Sequence, residues 1–71
     1  MDKRIRMLLI KLSERYKVTI FTFMTYNAER SKVSTKLRLT MKTRDKDALV
    51  HEYECFSKRD LVCEMMRWLR E

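Results

Sequence analysis

From Asp2 to Tyr16, apolar side chains recur at Ile5, Leu8, Leu9, Leu12 and Tyr16, steps of three and four that place one stripe along one side of a helix. Met7 and Ile10 fall off that stripe, among Lys3, Arg6 and Glu14. From Lys17 the composition changes to β-branched and aromatic residues, Val18 to Tyr26, with apolar groups on both faces, and this predicts a first strand that is central or covered on both sides. Either Phe21 and Phe23 or Ile20, Met24 and Tyr26 must then point away from the helices. The polar stretch from Asn27 to Lys32 turns the chain, with Asn27 the best candidate for a left-handed residue in a sequence without Gly.

The second strand has the clearest pattern. Val33, Thr35, Leu37, Leu39, Met41 and Thr43 alternate with Ser34, Lys36, Arg38, Thr40 and Lys42, which predicts a half-buried strand with its odd side inward. After the charged turn from Arg44 to Asp47, a third strand spans about Ala48 to Phe56, with Leu49, His51, Tyr53 and Cys55 on one face. A hairpin pairing Met41 with Leu49 and Leu37 with Tyr53 sets Arg38 opposite Glu52 and Lys36 opposite Glu54. Ser57, with Asp60 three residues on, is a helix-starting box. Leu61, Val62, Met65, Trp68 and Leu69 follow as an apolar face, with Cys63, Glu64, Arg67 and Arg70 on the other side. The predicted fold class is α+β, one domain over residues 1–71: a three-stranded antiparallel sheet with an N-terminal and a C-terminal helix packed on one face, α-β-β-β-α.

Composition narrows the function. The chain of 71 residues has neither Gly nor Pro, which excludes glycine-rich phosphate loops, dinucleotide fingerprints, calcium loops and nucleophile elbows. No apolar run is long enough for a membrane span or a signal peptide, so Met1 reads as the initiator of a cytoplasmic protein. Cys55 and Cys63, with only His51 as a nitrogen neighbour, fall short of a zinc site and read as two reduced thiols. His51 beside Tyr53 reads as a core or rim residue. With no constellation of nucleophile, base and carboxylate, the expectation is a protein that is not an enzyme and takes no cofactor or metal.

Charge is the strongest compositional signal. The formal net charge is +7, with the excess on residues 1–16 (+3), 17–32 (+2) and 33–43 (+3), while residues 44–56 contribute −2 and 57–71 +1. A surface of this sign attracts polyanions. Lys36 and Arg38 have carboxylate neighbours across the predicted hairpin, so they read as a solvated, neutralised face.

The order of helix, three strands and helix in about 70 residues, with Ser57-Lys58-Arg59-Asp60 opening the last helix, resembles the double-stranded-RNA-binding domain. In that family the first helix and the loop between the first two strands enter successive minor grooves, and basic side chains opening the last helix span the phosphates between them. The resemblance implies such roles for Lys3, Arg4 and Lys11 on the first helix, Arg30 and Lys32 in the loop, and Lys58 with Arg59. The family's Gly-Pro and His in the groove-reading loop are absent here, and its third basic helix position is Val62. The first expectation is therefore a small nucleic-acid-binding module, RNA ahead of DNA, contacting phosphates with little sequence readout. The alternative is a protein-interaction factor, an inhibitor or adaptor of the kind a virus or mobile element carries. It would act as a homodimer or on an acidic protein partner, through Met7 and Ile10 or through Phe21 and Phe23.

Overall fold

The computed structural model describes residues 2–70; Met1, read as the initiator, and Glu71 lie outside them. Helix α1 (Lys3–Ser13) is followed by strands β1 (Lys17–Asn27), β2 (Lys32–Lys42) and β3 (Leu49–Cys55) and by helix α2 (Lys58–Arg70). The strands form one antiparallel sheet in the order β1-β2-β3, an α+β fold of the α-β-β-β-α type, as the hydrophobic pattern predicts.

Both helix starts are set by local side chains. Asp2 caps α1, its carboxylate accepting the Arg4 N–H at 2.8 Å, and the Ser57 hydroxyl accepts the Asp60 N–H at 3.1 Å to open α2. The stripes these helices present, Ile5 and Leu12 from α1 and Leu61, Val62 and Met65 from α2, close over Leu39, Met41 and Cys55 of the sheet. Leu12, Leu39, Met41, Leu61 and Met65 are fully buried, each contributing about 1.5–3 kcal/mol by its removal from water.

Element lengths explain the elongated shape, 44 × 25 × 18 Å. An 11-residue strand runs about 37 Å, whereas α1 and α2 run about 16 and 20 Å. The helices cover only part of the β1–β2 hairpin, and the rest projects as an arm. This corrects the inward placement of the whole odd side of β2: Leu39 and Met41 are buried, but Val33 on the arm is 54% exposed, and Thr35 is exposed too. On β1, Val18 and Ile20 pack against the core, so Phe21 and Phe23 take the outer face.

Three further expectations are corrected. The β2–β3 register is Leu37 with Cys55, Arg38 with Glu54, Leu39 with Tyr53 and Met41 with His51, two residues from the predicted pairing, with an irregularity between Met41 and Lys42. An even slip keeps every residue on its face, so the inward set is unchanged except for Leu49, which lies exposed past the irregularity. The left-handed residue of the first turn is Ser31 (φ 48°); Asn27 acts instead through its side chain, which accepts the N–H groups of Glu29 (3.0 Å) and Arg30 (3.4 Å). Glu64, placed on the outer side of α2 by its chemistry, is 9% exposed and lies 3.9 Å from His51 Nε2 and 3.6 Å from Arg67.

Candidate nucleic-acid interface

The two helices run in the same direction. Arg4 near the start of α1 donates to the Met66 sulfur at 3.9 Å, and Tyr16 beyond the end of α1 meets Trp68 edge-on, ring centroids 6.1 Å apart. Asp2 and Ile5 of the N-terminal end share a hollow with Lys58 and Leu61 of α2, beside Ile20, Thr22 and Leu37 of the sheet. Both helix N-termini, and hence both positive dipole ends, therefore lie at one end of the molecule.

Three of the sequence-nominated cations meet there. Arg4, Lys58 and Arg59 line a single hollow with Asp2, Val62, Cys63 and Met66. Lys3 precedes Arg4 in the same first turn and is exposed. Arg30 and Lys32 sit at the tip of the arm, about 17 Å past Thr22 at the strand rise per residue, so the arm reaches out beyond the same end. Lys11 stands apart: it shares Arg4's side of α1 but lies two turns on, about 10 Å towards the opposite end. The structure thus gathers Arg4, Lys58 and Arg59, leaves Lys3 exposed in the same first turn of α1, sets Arg30 and Lys32 at a distance beyond the same end of the molecule, and leaves Lys11 outside the group.

Several of the other basic residues are held by partners. Lys36 bonds Glu54, Arg38 reaches both Glu54 (3.1 Å) and Glu52 (3.6 Å), Lys17 bonds Asp47 and Arg67 meets Glu64. The hydrogen bond from Lys36, with the charge of Arg38 added, holds the Glu54 carboxyl below its ordinary pKa, and the bond from Lys17 does the same for Asp47. Arg44, which the sequence did not single out, donates to the Ser13 carbonyl at 2.9 Å and so closes the open end of α1. Its signal was non-local, a turn residue meeting a helix end 31 positions away. Among the described residues, none of Lys3, Arg4, Lys11, Arg30, Lys32, Lys58 and Arg59 forms an ion pair with a carboxylate.

The protein-interface candidates lie elsewhere. Met7 and Ile10 are exposed on the outer side of α1, and Phe21 and Phe23 lie side by side on the outer sheet face, with the Arg38 guanidinium 4.7 Å from the Phe23 ring centre. Cys55 is buried, which raises its thiol pKa, and Cys63 is exposed; both are free thiols. Among the described residues no cluster of His, Cys, Asp and Glu is arranged to hold a metal ion, and no helix is long and apolar enough to cross a membrane. No family model, curated protein or solved structure matches the chain.

Proposed function

We propose that the protein is a small nucleic-acid-binding module that engages the phosphate backbone with little sequence readout, RNA ahead of DNA. The observation that carries this reading is the convergence of positive charge around one hollow. Lys17, Lys36 and Arg38 of the sheet are matched by carboxylates, whereas, among the described residues, Arg4, Lys58 and Arg59 converge without a carboxylate ion pair where both helices begin, and Lys3 lies exposed in the same first turn as Arg4. Helix N-termini and unpaired cations together favour phosphate. The arm adds Arg30 and Lys32 on the same side, a second contact set back from the first, which suits two stretches of backbone separated by a groove.

Readout of adenine edges is poorly provided for. The chain holds one Asn and no Gln, and the Asn27 side-chain oxygen is already taken by the turn. Bidentate reading of adenine needs that amide free. A duplex recognised by shape and phosphate positions suits such a surface, and A-form RNA is read in this way.

Titration against double-stranded RNA, double-stranded DNA and single strands of equal length, at low and near-physiological salt, tests the proposal. Tight binding with a preference for duplex RNA and a steep salt slope is expected. Weak, indiscriminate binding that vanishes at physiological salt overturns it and moves the search to a protein partner. The double variant Lys58→Glu with Arg59→Glu should lose at least about tenfold in affinity. A change within twofold removes the helix start from the site.

A further inference from the structure

The two edges of the sheet differ in how they are protected. β3 has seven residues, carries Glu52 and Glu54, and joins β2 through an irregularity. β1 has 11 residues, pairs with β2 without a break, contains no Pro, and bears no charge from Val18 to Asn27. Such an edge offers a row of unpaired backbone N–H and C=O groups with none of the devices that normally discourage pairing. Its side chains are open as well: Phe21 is 48% exposed, Met24 74% and Tyr26 66%.

We propose that a second copy of the chain pairs antiparallel with β1 about a twofold axis at Thr22, joining the two sheets into one of six strands. The argument for this occupant is that β1 is complementary to itself. An isologous interface brings each residue against the one equally far from the axis on the other side. Around Thr22 the matched positions are Phe21 with Phe23, Ile20 with Met24, Thr19 with Thr25 and Val18 with Tyr26, and the strand ends, Lys17 and Asn27, match each other. The pairs join aromatic to aromatic, apolar to apolar, hydroxyl to hydroxyl and, for Val18 with Tyr26, β-branched to aromatic, combinations that favour cross-strand contact. No two charges of one sign meet, although each chain carries +7.

The helices leave room for this arrangement. α1 lies over the first half of β1, with Ile5 beside Ile20 and Thr22, and the arm beyond has no helix above it. The twofold lays each bare half beside the covered half of the other copy, so Met24 and Tyr26 come to rest beside the second copy's α1. Ile10 meets them there: it is 58% exposed and about 240° round the helix from Arg4, on the flank turned away from α2. On the opposite face, the Phe21 and Phe23 pairs of the two copies merge into one cluster of four rings.

Sedimentation equilibrium of the full chain from about 1 mM to about 1 µM should show twice the 8.8 kDa monomer mass, with dissociation inside that range. A monomer throughout overturns the proposal. The register is tested by cysteine cross-linking in a Cys63→Ser background. Thr22→Cys sits opposite itself, with Cα atoms about 4.5–5.5 Å apart, and should form an intermolecular disulfide. Thr19→Cys is displaced from its own copy by about 20 Å and should not. Equal cross-linking at both positions overturns the twofold at Thr22. Thr22 is exposed, so Thr22→Glu should keep the native circular-dichroism spectrum while halving the mass; a folded variant that still dimerises refutes the proposal.

Discussion

β2 belongs to two hairpins at once, and its two halves behave differently. Near its end, Leu39 and Met41 are buried beneath both helices, and the outer side is laced to β3 by Lys36, Arg38, Glu52 and Glu54. Near its start, Val33 continues the same alternation yet faces solvent, and the cross-strand neighbours are Tyr26, Thr25 and Met24. One strand with one periodicity thus contributes core at one end and surface at the other. The alternation decides which face a residue takes; the reach of the helices decides whether that face is covered. Stability should therefore be concentrated under the helices, and recognition at the end where the covering stops.

The largest effect that sharpens this contrast is in the core. Leu39→Ala should cost about 2–5 kcal/mol by leaving a cavity, whereas Val33→Ala should cost no more than about 0.5 kcal/mol. Urea denaturation measures both, and equal losses would mean that the arm is packed after all. Next in size is charge placement. Neutralising Lys58 and Arg59 should flatten the salt dependence of nucleic-acid binding by about two units of slope, while Lys36→Gln should leave it nearly unchanged because that cation is already matched. Ser31→Gly at the arm's turn should then stabilise the chain by about 0.5–1 kcal/mol, read as a rise in melting temperature, because φ 48° is unfavourable with a Cβ present.

The smallest effect is the acid response of the ion-paired hairpin. Glu54 has its pKa lowered in the folded state, first by the Lys36 hydrogen bond, so the pair adds stability above the ordinary carboxylate pKa and loses it as pH falls through the lowered value. A carbon-detected NMR titration of the Glu54 carboxyl should show the depressed midpoint, and Lys36→Met should move it back up. No movement would mean that the pair does not persist in solution.

Much of this was legible in the residues. The Ser57–Asp60 box marks the start of α2, and the alternation from Val33 to Met41 marks β2, because caps and periodicity are local signals. The β2–β3 register was not, for a reason visible in the ion pairs: Arg38 reaches both Glu52 and Glu54, so matching charges fits either of two registers. Glu64 was misplaced because a carboxylate reads as an outer residue, although it sits one position before the buried Met65 and covers the His51 edge of β3. The gathering of Arg4 with Lys58 and Arg59 could not be read from spacing at all, since it depends on how two helices more than 40 residues apart are aligned. The long uncharged run of β1 was legible as strand, but its position at the edge was not, because strand order is set by the hairpin connections and by which side β3 takes.

The placement of α2 governs how the chain must be made. Three of the eight core residues, Leu61, Val62 and Met65, belong to this last helix, and they seal Leu12 of α1 and Leu39 and Met41 of β2, all earlier in the chain. In order of synthesis, α1 and all three strands precede the helix that shields their inner face. The core therefore cannot close until α2 is available, and a chain cut before Leu61 would leave Leu12, Leu39 and Met41 without their cover.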